Sequence, residues 1–74
     1  MATASLTWKL RQRGSWQVAA TTMPLESATR VACTLVRQFA PDTRLARGCT
    51  PHTFLLTEEV RRFSFVTDDF SLAL

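Results

Sequence analysis

Residues 5–22 alternate apolar and polar side chains on either side of a single glycine, and no other feature of the chain restricts its fold as much. Leu6, Trp8 and Leu10 alternate with Thr7, Lys9 and Arg11; past Gly14, Trp16, Val18 and Ala20 alternate with Ser15, Gln17 and Ala19. A period of two belongs to strands that bury one side. Two such strands joined through a glycine predict an antiparallel hairpin. Pairing Leu10 with Trp16 leaves Gln12-Arg13-Gly14 as a three-residue loop, with Gly14 at the left-handed position. In that register Trp8 faces Val18, and both tryptophans lie on the apolar face as neighbours.

Residues 24–39 carry the period of a helix. Ala28, Val31, Ala32, Leu35, Val36 and Phe39 recur at i, i+3, i+4, i+7, i+8 and i+11 and form one apolar stripe. Pro24 suits the first turn, where its missing N–H is not needed. Glu26 and Arg37 complement the two ends of the helix dipole, and Pro41 stops the helix. Beyond it the pattern is shorter. Residues 43–49 read as a short strand, 51–56 and 62–67 as a second hairpin with Glu58 and Glu59 in its loop, Asp68-Asp69 as a turn, and 70–74 as a last strand. The expected fold is a single α+β domain over residues 1–74. It is an antiparallel sheet of four or five strands with one helix on one face, in the order β-β-α-β-β with a further strand allowed.

Seventy-four residues permit one small core. Hydrophobic content of 46% with 20% charge is that of a folded chain. No run approaches the roughly 18 apolar residues of a membrane span, and the first residues lack the pattern of a signal peptide. Two cysteines, Cys33 and Cys49, are too few for a disulfide scaffold, so the sequence suggests a reducing, cytoplasmic setting. Cys33, beside the helix stripe, reads as a small packing residue. A Cys33–Cys49 disulfide, though geometrically possible, is not expected there, leaving both thiols free.

The net charge of +3 favours acidic partners. Lys9, Arg11 and Arg13 stand two apart, which on a strand makes a basic stripe roughly 13 Å long on the solvent face. Such a stripe fits phosphates or an acidic protein groove; it also serves to keep an edge strand from pairing with other chains. Arg61 and Arg62 add charge near the second hairpin, and whether the two clusters share a face depends on strand order. The tryptophans read as core rather than as base-stacking platforms, because their expected face is the one bearing Leu6, Leu10 and Val18.

Candidates for chemistry are few. Cys49, His52 and the distant Cys33 are the only soft ligands and do not compose a zinc site. A Cys–His nucleophile pair would lack an orienting third group. Glu58-Glu59 and Asp68-Asp69 sit in turns, where carboxylates are solvated. With two glycines there is no phosphate-cradling loop. No enzymatic activity, cofactor or metal is expected.

The stretch Ala19-Ala20-Thr21-Thr22-Met23-Pro24-Leu25-Glu26-Ser27-Ala28-Thr29-Arg30-Val31-Ala32 resembles the strand-to-helix junction of small type I anti-CRISPR proteins of phages and plasmids. Several of those pack one helix on an antiparallel sheet of four or five strands. In this chain Leu25-Glu26-x-Ala28-x-Arg30-Val31-Ala32 likewise lies between two hairpins. The family shares no common sequence, so the resemblance transfers no functional residue. It implies a stoichiometric inhibitor acting in the bacterial cytoplasm. The inhibitor would bind a CRISPR surveillance (Cascade) complex and block target-DNA recognition, with Lys9, Arg11, Arg13, Arg61 and Arg62 as the expected contacts. The preference for alanine and arginine over lysine suits a GC-rich host. Two other readings stand beside it. One is a basic nucleic-acid-binding module. The other is a dimeric accessory protein that pairs through the apolar tail Phe70-Ser71-Leu72-Ala73-Leu74. As an inhibitor the chain is expected to be a monomer or weak homodimer.

Overall fold

The computed structural model describes residues 3–50 and 63–74. The expected strand at 51–56, His52, Glu58-Glu59, Arg61 and Arg62 lie outside the described residues. Strand β1 (Thr3–Gln12) and strand β2 (Ser15–Pro24) are followed by helix α1 (Leu25–Phe39), a one-turn helix α2 (Arg44–Gly48), and strands β3 (Ser64–Val66) and β4 (Phe70–Ala73). The four strands form one antiparallel sheet in the order β2-β1-β4-β3. The α+β class and the β-β-α-β-β sequence of elements are as expected.

The first hairpin departs from expectation by one residue. Its turn is two residues long, Arg13-Gly14, with φ of 53° and 80°. Left-handed values at both positions match the two-residue turn whose twist suits flanking strands. Leu10 therefore pairs with Gln17 and Arg11 with Trp16. Because side chains alternate, this single step turns all of β2 over. Trp16, Val18 and Ala20 join the face of Lys9 and Arg11, while Gln17, Ala19, Thr21 and Met23 share the face of Leu10, Trp8, Leu6 and Ala4.

That second face carries the core. Leu6, Phe70 and Leu72 are fully or almost fully buried, and they cluster with Ala32, Cys33, Val36, Ala40, Ala46 and Cys49. Trp8, Leu10, Phe39 and Phe65 pack around them. The ring centroid of Phe70 lies 5.6 Å from that of Phe39 and 6.4 Å from that of Phe65, within the range of favourable aromatic pairs. The C-terminal residues thus form an interior strand, paired with β1 on one side and β3 on the other. Residues 70–73 are not a free apolar edge, so the tail-paired dimer loses its basis.

Helix α1 buries Ala28, Thr29, Ala32, Cys33 and Val36. The expected stripe is rotated slightly: Val31, Leu35 and Phe39 flank the contact and are half-buried. Thr29 enters the interior because its hydroxyl donates to the Glu26 carbonyl at 2.8 Å, leaving no orphan polar atom. Pro24 sits at the helix N-cap, and the Ala40 N–H closes the other end on the Val36 carbonyl at 2.8 Å.

Residues 43–49 form a helical turn instead of the expected strand. The Thr43 hydroxyl donates to the Ala40 carbonyl at 2.7 Å and accepts from the Ala46 N–H at 3.3 Å. A threonine that caps one helix while holding the end of the last favours a turn over an extended segment. The turn brings Cys49 back over α1, with the Cα atoms of Cys33 and Cys49 5.7 Å apart and their sulfurs joined. This corrects the expectation of two free thiols, and with it the argument from cysteine for a reducing compartment. The Arg37 guanidinium, one turn along α1 from Cys33, donates to the Cys49 carbonyl. Among the described residues no helix is long and apolar enough to cross a membrane.

Two measurements test this fold. Gly14 has φ of +80° with nothing within 4 Å of an added Cβ, so Gly14→Ala meets backbone strain alone. It is expected to cost about 1 kcal/mol in urea unfolding; an unchanged midpoint would contradict the turn. The disulfide closes a loop across a sequence separation of 16, and Cys33→Ala/Cys49→Ala is expected to lower stability by about 3 kcal/mol. If the wild type loses nothing on reduction, the bond is not part of the folded protein.

Candidate interaction face

The face of the sheet turned away from α1 is built from four rows. β1 contributes Ser5, Thr7, Lys9 and Arg11; β2 contributes Trp16, Val18, Ala20 and Thr22; β4 contributes Ser71 and Ala73; β3 contributes Ser64 and Val66. The described residues of this face carry two cations, several hydroxyls and no carboxylate on a paired position. Ser5 Oγ and Thr22 Oγ1 lie 3.5 Å apart across the first hairpin, as their direct pairing requires.

Among the described residues three large apolar side chains are exposed: Trp16 at 42%, Val18 at 63% and Val66 at 73%. All three lie on this face, so it is neither purely basic nor a plain solvated surface. Arg11 is directly opposite Trp16, and its Cζ lies 5.2 Å from the indole ring centroid. A guanidinium at that distance is attracted by the ring quadrupole, a contact worth about 0.5–1 kcal/mol at an exposed site. The contact favours this mutual arrangement of the two side chains. Lys9 stands two residues along β1, beside Val18.

The expected basic stripe is therefore shortened and re-equipped. Lys9 and Arg11 occupy the open face as expected. Arg13 does not extend the row, because a left-handed residue in a turn breaks strand alternation. It lines an open depression at the hairpin tip with Gln12, Ser15 and Gln17. Trp16, Val18 and Ala20 are the residues that sequence reading placed on the wrong face: the loop-length choice assigned them to the core side with Trp8. The signal for the correct register was the dipeptide Arg13-Gly14, which fits a two-residue turn as well as the end of a three-residue one.

The acidic pair bounds the face on one side. Asp68-Asp69 forms the turn between β3 and β4, closed by the Thr67 N–H donating to the Phe70 carbonyl at 2.7 Å and the Phe70 N–H donating to Thr67 Oγ1 at 3.1 Å. The Arg11 N–H donates to the Asp69 carbonyl at 2.8 Å, so this turn borders β1 at Arg11. These are turn carboxylates at the rim, exposed to solvent. The sulfurs of Cys33 and Cys49 are tied to each other and offer no thiolate to a metal.

Comparison with protein-family models, curated proteins and solved structures finds no match for the chain.

The register itself is open to test by fluorescence. Trp16 is exposed and Trp8 is half-buried against the core. Acrylamide is expected to quench Trp8→Phe, which retains Trp16, more strongly than Trp16→Phe, which retains Trp8. The opposite order would return Trp16 to the core and remove the face as described.

Proposed function

We propose that the protein is a non-enzymatic binding protein that works through the open face of its sheet, as an inhibitor of a bacterial type I CRISPR surveillance complex that blocks target-DNA recognition. The observation that carries this reading is the Arg11–Trp16 pair, held on a solvent-facing sheet beside Lys9. Tryptophan and arginine are the residue types that dominate binding energy at interfaces, and an aromatic already braced by a cation loses little freedom on contact. The opposite face is engaged in the core, which leaves this one for a partner. Occlusion needs a rigid, patterned surface and no chemistry. A positive surface complements a complex built around nucleic acid. The resemblance of the Leu25–Ala32 junction to anti-CRISPR proteins directs the proposal to that partner. Cys33 and Cys49 are 3% and 1% exposed, so exchange with cytoplasmic thiols is hindered.

The test is a pull-down from a lysate containing a type I complex, paired with phage plating on the immune host. Wild-type protein is expected to co-elute with the complex and restore plating. Lys9→Glu/Arg11→Glu is expected to weaken capture by about tenfold or more, since charge reversal on a contact face adds repulsion to lost attraction. Arg13→Glu, placed off the row, is expected to do less. Failure of the wild type to bind any type I complex or to rescue plating would discard the reading.

A further inference from the structure

We infer that the Trp16–Arg11–Lys9 corner of the open face is a site for single-stranded nucleic acid, with one base stacked on Trp16 and neighbouring phosphates held by Arg11 and Lys9. This rests on the proposed function only in placing the contact on the open face, and it names the partner's chemistry there.

Three observations converge. Trp16 is 42% exposed while Arg11 lies over its ring, so the indole is steadied by the cation and still presents area to a ligand. Stacking on an aromatic side chain is sequence-tolerant, because every base has a π-face, and arginine adds a cation–π contribution. The cations stand on one row, Arg11 opposite Trp16 and Lys9 two residues on, with Thr7 and Ser71 hydroxyls on the same surface. The two cations only donate and the hydroxyls can donate, while phosphate oxygens only accept. Finally, Asp69 borders Arg11 on the β4 side, its carbonyl accepting from the Arg11 N–H, and Asp68 precedes it in the same exposed turn. Anionic backbone is repelled there, which directs the strand across β1 and β2, over the tryptophan.

Charge complementarity alone would also admit an acidic peptide. The aromatic platform decides between them: carboxylates gain nothing from the negative face of an indole, whereas a base gains its stack. Duplex DNA is disfavoured because its bases are stacked on each other and present no face to Trp16.

The experiment is fluorescence anisotropy of a short labelled oligothymidylate with the full chain, at low and high salt. Wild-type protein is expected to bind with a log K against log salt slope of about −1.4, the value for two phosphates contacted on a single strand. Trp16→Ala is expected to weaken binding by roughly fivefold or more while Trp16→Phe retains it. Lys9→Gln is expected to reduce the slope by about 0.7. Circular dichroism confirms that each variant is folded. The inference is overturned by no binding at low salt, by Trp16→Ala binding as well as wild type, or by equal affinity for a duplex of the same length or for polyglutamate. Capture of the CRISPR complex without oligonucleotide binding would sink this inference and leave the proposed function standing; the converse would do the reverse.

Discussion

The two-residue turn at Arg13-Gly14 is the constraint on which the rest of this structure depends. It sets Arg11 opposite Trp16, and every pair down the hairpin follows from that one. A strand has only two faces, so register is a binary choice for each side chain on β2. The choice made here puts Ala19, Thr21 and Met23 on the face that α1 covers, and a tryptophan and a valine on the face left to solvent. Arg13 bears a backbone cost, since a non-glycine residue at φ of 53° is strained by about 1–2 kcal/mol. The matching twist of turn and strands, and the Arg11–Trp16 contact, act in the opposite direction.

The inner face shows how a small chain closes a core. Helix α1 approaches with alanine, threonine and cysteine rather than with its largest residues, and the volume is supplied from the sheet by Leu6, Phe70 and Leu72. The end of the helix is then fastened twice at one point. Cys33 binds the Cys49 sulfur and Arg37 binds the Cys49 carbonyl, so two successive turns of α1 hold one residue. A domain of this length gains little from burial alone, and such a covalent fastening adds to it. With the helix side closed in this way, the patterned surface that remains is the far side of the sheet.

Much of this was legible from the residues. The period of two in 5–22 and the stripe on 24–39 identified two strands and a helix, and the alternation of Phe70, Leu72 and Leu74 identified the last strand. Each signal is local: it comes from side chains a few positions apart on one element. The errors have a common origin in distance or degeneracy. Residues 43–49 carry no decisive period, and Thr43 settles the segment by bonding backward to Ala40 and forward to Ala46. Thr29 was passed over as core because a hydrophobic pattern does not register a threonine satisfied by its own helix, and Cys33, read as a small packing residue, was not expected to bond across the fold. The strand order β2-β1-β4-β3 places the C-terminal strand in the interior, and the local period says nothing about neighbours.

By itself the sequence determined the class of the domain, the identity of its elements and the positive character of Lys9 and Arg11 on the solvent side. Hydropathy periods and charge are intrinsic to the residues, and they survive any register. The tertiary structure decided what accompanies those cations. Whether Trp16 stood in the core or beside Arg11 depended on one residue of loop length, which twist and cross-strand contacts select only when both strands are in place. The union of Cys33 with Cys49 likewise required α2 to turn the chain back over α1. The hairpin first recognised from its alternation therefore acquired its functional surface from a pairing that alternation alone could not choose.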